Sequence, residues 1–328
     1  MQRYLLTIAV IFVVASGCDN VSWGSIEVKI VPPPSTGNGA EVDEDDSGAA
    51  AAVNVDGPIL LAGVRNGARA TLTLVGEVDG DVLRAFPDTA FPSDAERLEA
   101  LTAPGAAWIL FSEGVRVGRM VADVTGTADG FCGSRVTVSG VVEIVPPAAG
   151  AERLLALPAA DAADRAYGQY RPLAHVYDQR IASLEIAQQE IPEHGAQWPS
   201  LGVLDARKHI QAFDLDGPTG PYVAATFMYE DELAVSPPGR GAYALFIIGE
   251  EVWGTHEDAY VWYRAVDREG KGAPRYFDHL DWDGDGTEEI LLDVLGSNRR
   301  WFAGLGQTDG SWVRTFQDAC GSDSTAAG

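Results

Sequence analysis

His279-Leu280-Asp281-Trp282-Asp283-Gly284-Asp285-Gly286-Thr287-Glu288-Glu289-Ile290-Leu291-Leu292 sets four carboxylates at alternating places of one loop and then runs straight into an apolar segment. Alternation lets Asp281, Asp283 and Asp285 turn inward together, and Gly286 permits the sharp turn after them. The carbonyl of Thr287 and the carboxylate of Glu289 add further oxygens. Ca2+ is a hard cation that takes about six to eight oxygens from a compact loop, whereas Mg2+ demands a tight octahedron and keeps most of its waters. Ca2+ is therefore the expected ion. The alternative is a polar Asp–Gly turn that binds nothing, but carboxylates this dense repel one another without a cation.

The residues that follow decide which kind of loop this is. Ile290-Leu291-Leu292-Asp293-Val294-Leu295 is a nearly continuous apolar run, better as a strand buried on both faces than as an amphipathic helix. An EF-hand also needs Glu at its last loop position, and Leu292 stands there. Acidic ligands followed directly by a strand resemble the calcium loop of FG-GAP/VCBS-type repeats, found in integrin-like β-propeller blades, with Glu289 in place of the more usual Asp. The resemblance implies a blade-like β repeat in which Asp281, Asp283, Asp285, Thr287 and Glu289 hold one structural Ca2+. A shift of 67 positions sets Asp214-Leu215-Asp216-Gly217 on Asp281-Trp282-Asp283-Gly284 and Tyr222 on Glu289. Pro218 falls on Asp285, so this degenerate second loop keeps Asp214 and Asp216 and is expected to have kept the turn and lost the metal. Two copies are fewer than the four or more blades of a closed propeller.

Working outward, the segment 198–320 reads as this repeat module. Six of the eight tryptophans lie in it (Trp198, Trp253, Trp262, Trp282, Trp301, Trp312), and its short apolar runs are bounded by Gly, Pro or Asp. Sheet-core packing is the expected use of those rings; exposed, they would suit a carbohydrate face. Upstream, 148–197 reads as a helical connector, rich in Ala and Leu from Ala151 to Ala166, with a helix expected from Tyr177 to Ile191 and ended by Pro192 and Gly195. Segment 57–147 alternates as half-buried strands do, in Ala70–Val75 and Arg135–Ser139. A Glu113-Gly114 turn joins two of its strands, and Ser93 with Glu96 marks a helix start. The whole reads as a mainly β, multi-domain chain: a small antiparallel barrel or sandwich, a helical segment, then a propeller-blade-like module, with 321–328 as a tail.

The first residues carry an address. Arg3 precedes an apolar run from Tyr4 to Val14, then Ala15-Ser16-Gly17-Cys18. That is the layout of a secretory signal, too short for a spanning helix. The last four residues resemble the bacterial lipobox, which implies cleavage after residue 17 and lipidation of Cys18. Two or more acyl chains give stable membrane anchoring where one does not. The chain is thus expected outside the cytoplasm, on the periplasmic face or at the cell surface. Segment 18–56, with Pro32-Pro33-Pro34 and Glu41, Asp43, Glu44, Asp45 and Asp46, reads as an acidic tether. Setting Cys18 aside leaves Cys132 and Cys320, either a disulfide or two buried thiols; an oxidising compartment favours the disulfide.

Composition narrows the function. Lys plus Arg is 23 against 48 Asp plus Glu, a formal charge of −25, which argues against nucleic acid as a partner because phosphate affinity rests on basic side chains. The five histidines are scattered without zinc-ligand spacing, and no nucleophile-elbow, phosphate-loop or dinucleotide motif is present. The expectation is a non-catalytic, lipid-anchored protein with a structural Ca2+ module that binds or scaffolds an envelope or extracellular ligand. An exported hydrolase, its groups brought together only in three dimensions, is the alternative; a deep pocket joining a histidine to a buried carboxylate of shifted pKa would favour it.

Overall fold

The computed structural model describes residues 57–80, 82–85, 92–215 and 220–318, the side chains of 92–95 excepted. The signal and lipobox residues, Cys18, the acidic tether, Asp216, Cys320 and the tail lie outside them, as does the Ser93 side chain.

A mainly β fold is what the alternating stretches build. The first seven strands are β1 (Ile59–Asn66), β2 (Arg69–Asp79), β3 (Val82–Ala85), β4 (Ala107–Ser112), β5 (Val115–Ala128), β6 (Arg135–Ile144) and β7 (Arg153–Pro158). They form one antiparallel sheet in the order β1-β7-β4-β5-β6-β2-β3, and β1 also pairs with β2. That last pairing closes six strands into a barrel and leaves β3 as a flap on β2. The interior is filled by alternate residues of all six, among them Leu61, Leu72, Trp108, Met120, Val138 and Leu154. Helix α1 (Pro92–Thr102) leans Leu98 and Leu101 on this core.

One stretch departs from expectation. Arg153–Pro158, read as part of a helical connector, is barrel strand β7. Leu154 and Ala156 point into the barrel while Leu155 and Leu157 point out, so both faces are covered and the apolar run has no polar side to betray its period. The connector is helical in α2 (Ala159–Ala162) and α3 (Tyr177–Glu193). The Gln179 side chain caps α3 by accepting from the Val176 N–H at 3.0 Å.

Two further antiparallel sheets follow, each of four strands in sequence order. Sheet B comprises β8 (Arg207–Phe213), β9 (Tyr222–Tyr229), β10 (Tyr243–Val252) and β11 (Thr255–Ala265). Sheet C comprises β12 (Ala273–Leu280), β13 (Glu289–Leu295), β14 (Arg300–Thr308) and β15 (Ser311–Gln317). In each, the Asp-bearing loop joins the first strand to the second.

Sheet C is covered on both sides. Phe277, Leu280, Leu291 and Phe302 pack on the barrel's outer face beside Ile109, Leu155 and Leu157. Tyr276, Ile290, Leu292 and Trp301 pack on Phe213, Tyr222 and Phe246 of sheet B. Ile186, Ala187 and Ile191 of α3 then cover the far side of sheet B, against Phe227, Leu245 and Ile247. Each such Leu or Ile contributes roughly 1.5–3 kcal/mol by burial. Trp262, Trp282, Trp301 and Trp312 are core residues as expected, but Trp198 is 48% and Trp253 100% exposed. Trp253 sits at the tip of the β10–β11 hairpin with φ +54°, where a tight turn aims the ring outward. Cys132 is partly buried against the B–C core.

Candidate metal centre and a buried acidic cluster

The loop between β12 and β13 gathers its aspartates. Carboxylate oxygens of Asp281, Asp283 and Asp285 all lie within 4.8 Å of one another. Two oxygens that share an ion at about 2.3–2.6 Å can be no more than about 5 Å apart, so this trio fits one calcium-sized cation. Backbone N–H groups set the arrangement: Gly284 and Gly286 donate to the two oxygens of Asp281 at 2.6 and 3.1 Å, Asp285 to Asp283 at 3.0 Å, and Thr287 to Asp285 at 2.6 Å. Gly284 and Gly286 take φ of +85° and +93°, which bends the loop back on itself. Arg165, just after α2, donates to the carbonyls of Asp281 and Trp282 and fixes the loop from outside.

Glu289 begins β13 and stands beside the trio, buried, accepting from the Trp282 N–H at 3.3 Å. Burial, then the charges of Asp283, Asp281 and Asp285, push its carboxyl up to about 8. Burial likewise raises Asp283. Of the degenerate second loop, Asp214 is exposed at the end of β8.

A second cluster was not foreseen. Glu113, Asp278 and His279 bring ligand atoms within 4.8 Å of one another, although Glu113 belongs to the barrel and the other two to sheet C. The β4–β5 turn Glu113-Gly114 carries φ of +50° and +71°, the conformation of a tight two-residue hairpin. It docks on β12: the Gly114 N–H donates to the His279 carbonyl at 3.1 Å and the Glu113 N–H to Asp278 Oδ1 at 2.9 Å. The His279 N–H also donates to that oxygen, at 2.9 Å. Asp278 Oδ2 is buried with no hydrogen-bond partner.

A β-bulge between Tyr276 and Asp278 turns Tyr276 and His279 to the same side, with the hydroxyl 2.6 Å from His279 Nδ1. His279 Nε2 lies 3.7 Å from Glu288 Oε1. Burial drives His279 down to about 3 and Glu113 up to about 7; Arg153, 3.1 Å from the Tyr276 carbonyl, opposes the second shift. Burial and the Glu113 charge hold Asp278 well above the usual carboxylate range. A cleft of about 270 Å³ opens at the Glu113 edge of this cluster, lined also by Val115, Arg171, Asp214 and Glu288 but by neither Asp278 nor His279. A larger cleft, about 580 Å³, lies away from both clusters around Lys208, Tyr229 and Glu232. Among the described residues no helix is long and apolar enough to cross a membrane. Compared with protein families, curated proteins and solved structures, the chain matches none.

Proposed function

We propose that this chain is a non-catalytic, exported lipoprotein, anchored to a membrane through Cys18, whose FG-GAP/VCBS-like module is stabilised by one structural Ca2+. The convergence of Asp281, Asp283 and Asp285 within 4.8 Å carries the metal part of this reading. Glu289 completes the ligand set by ionising as the ion arrives, and the Thr287 carbonyl adds an oxygen. The ion cancels local repulsion and pins the turn between β12 and β13, which links binding to stability. Calorimetric titration with CaCl2 tests it: one equivalent of heat is expected, and none in an Asp283→Ala variant. Heat of equal size in both would remove the loop from the account.

Anchoring rests on the apolar run and Ala15-Ser16-Gly17-Cys18. Membrane fractionation with a Cys18→Ala variant tests it, the variant being expected in the soluble exported fraction. A Cys132–Cys320 disulfide belongs to the same reading and is checked by the mass change on reduction and alkylation. Such a protein binds or scaffolds an envelope or extracellular ligand, and retention of an envelope component by the immobilised chain is the expected outcome.

A second reading, an exported hydrolase, is favoured by one observation. The cleft of about 270 Å³ is lined by Glu113, whose carboxyl is pushed up to about 7, and by Glu288, whose Oε1 lies 3.7 Å from Nε2 of the buried His279. Turnover of ester, phosphoester or glycoside substrates that is lost in Glu113→Gln would support it. No turnover above that variant would remove it.

A further inference from the structure

The two carboxylates beside His279 pose a charge problem that the aspartate loop does not solve. Asp278 and His279 are 2% and 1% exposed, and Glu113 is held against them by its own backbone N–H. One oxygen of Asp278 takes two backbone donors, while Oδ2 is buried with no donor at all. The charge of Arg153 acts on both carboxylates, but its hydrogen bonds go to the Tyr276 carbonyl and Gln211 Oε1, at 3.1 and 2.9 Å, and not to Asp278 Oδ2. A buried carboxylate oxygen with no donor is costly. Three such ligand atoms within 4.8 Å of one another can share a single ion.

We propose that Glu113, Asp278 and His279 form a second metal site, separate from the aspartate loop, that takes a divalent transition metal of the zinc class. An imidazole among the donors sets the class: nitrogen suits zinc-like ions, whereas Ca2+ prefers oxygen throughout. The tyrosine hydroxyl holds Nδ1, which lies 3.9 Å from Asp278 Oδ1, and Nε2 lies 3.7 Å from Glu288 Oε1 at the cleft wall, so the ion reaches the ring through Nε2. The cleft gives the ion its route in, with Glu113 and Glu288 at its wall, and leaves room for a water or a ligand group in an open position. The site also ties the barrel to sheet C, since its donors lie 165 residues apart in the chain.

The test uses the full chain, stripped with chelator and then saturated with Ca2+ so that the aspartate loop is occupied. ZnCl2 titrated into it is expected to bind with one equivalent, and Co2+ to give visible absorption from a low-symmetry N/O site. Glu113→Gln, a near-isosteric change in a half-buried turn, is expected to weaken Zn2+ at least tenfold while circular dichroism stays unchanged, and Asp283→Ala to leave it unaffected. Absence of Zn2+ binding, binding as tight in Glu113→Gln, or binding lost in Asp283→Ala would each overturn the proposal. The last outcome would return the metal to the aspartate loop, so this inference and the calcium reading fail separately.

Discussion

The Tyr276 hydroxyl meets His279 Nδ1 at 2.6 Å, across a bulge that puts two residues of odd spacing on one side of a strand. In a regular strand they would face opposite ways. Without the hydroxyl, a buried ring nitrogen loses its partner. Tyr276→Phe is expected to cost about 1–2 kcal/mol in urea unfolding. If the ring serves a metal, the same variant weakens Zn2+ binding roughly 10-fold or more. A stability loss with unchanged Zn2+ affinity would confine the tyrosine to a packing role.

On the calcium reading proposed above, the ion stabilises the fold by relieving repulsion among the loop acids. Millimolar Ca2+ is expected to raise the melting temperature by several degrees and chelator to reverse it, since tight binding to the folded state adds about 2–3 kcal/mol at a hundredfold excess over Kd. Asp283→Ala loses that gain. Glu289→Gln loses it too, yet the metal-free variant should be more stable than the metal-free parent, by up to about 3 kcal/mol at neutral pH, because a carboxyl raised to about 8 is no longer forced into the fold. Equal melting of parent and variant without metal would count against the crowding.

Gly114 allows the barrel hairpin to touch sheet C. A Cβ there would lie 2.0 Å from Glu288 Oε1 and 2.9 Å from His279 Nε2, at φ +71°. Gly67 has φ +62° and open space around it. Gly67→Ala should therefore show backbone strain alone, about 1 kcal/mol, and Gly114→Ala roughly 2 kcal/mol or more. Chemical denaturation of both variants reads the difference directly.

His209 is expected to supply a pH dependence away from the aspartate loop. Burial, then Arg153 and Arg275, hold it down at about 4 against an ordinary 6.5, and its Nδ1 is buried without a partner. The unfolded chain therefore takes up a proton before the folded one. This stability is whole above pH 6.5 and is lost as pH falls towards 4, about 2 kcal/mol of it by pH 5. His209→Gln should flatten that part of the profile. Parallel curves for parent and variant between pH 7.5 and 5 would refute the assignment.

Local features were legible in the sequence, and distant ones were not. The aspartate loop could be read because its donors are neighbours, and β13 because the apolar run directly after that loop lacks the polar face of an amphipathic helix and is bounded by a turn. The Glu113-Gly114 hairpin was visible too. What it docks on was not, because Asp278 lies 165 residues away and no spacing rule spans that gap. The one local hint was Glu in a left-handed turn position, where Gly or Asn costs less. β7 was misread because Arg153-Leu154-Leu155-Ala156-Leu157-Pro158 suits a buried helix as well as a buried strand, and only the barrel's closure decides between them.

Sheet C, lined by the barrel on one side and by sheet B on the other, hides its inner strands from any visitor, while β15 at its edge shows most of its residues to solvent. Whatever meets this part of the protein must do so at its rim, where the strands give way to loops. There the aspartate turn and the docked hairpin come to the same end of β12. The bend of the aspartate turn and the hold of barrel on sheet thus share one address, so a change at that end bears on both neighbours at once.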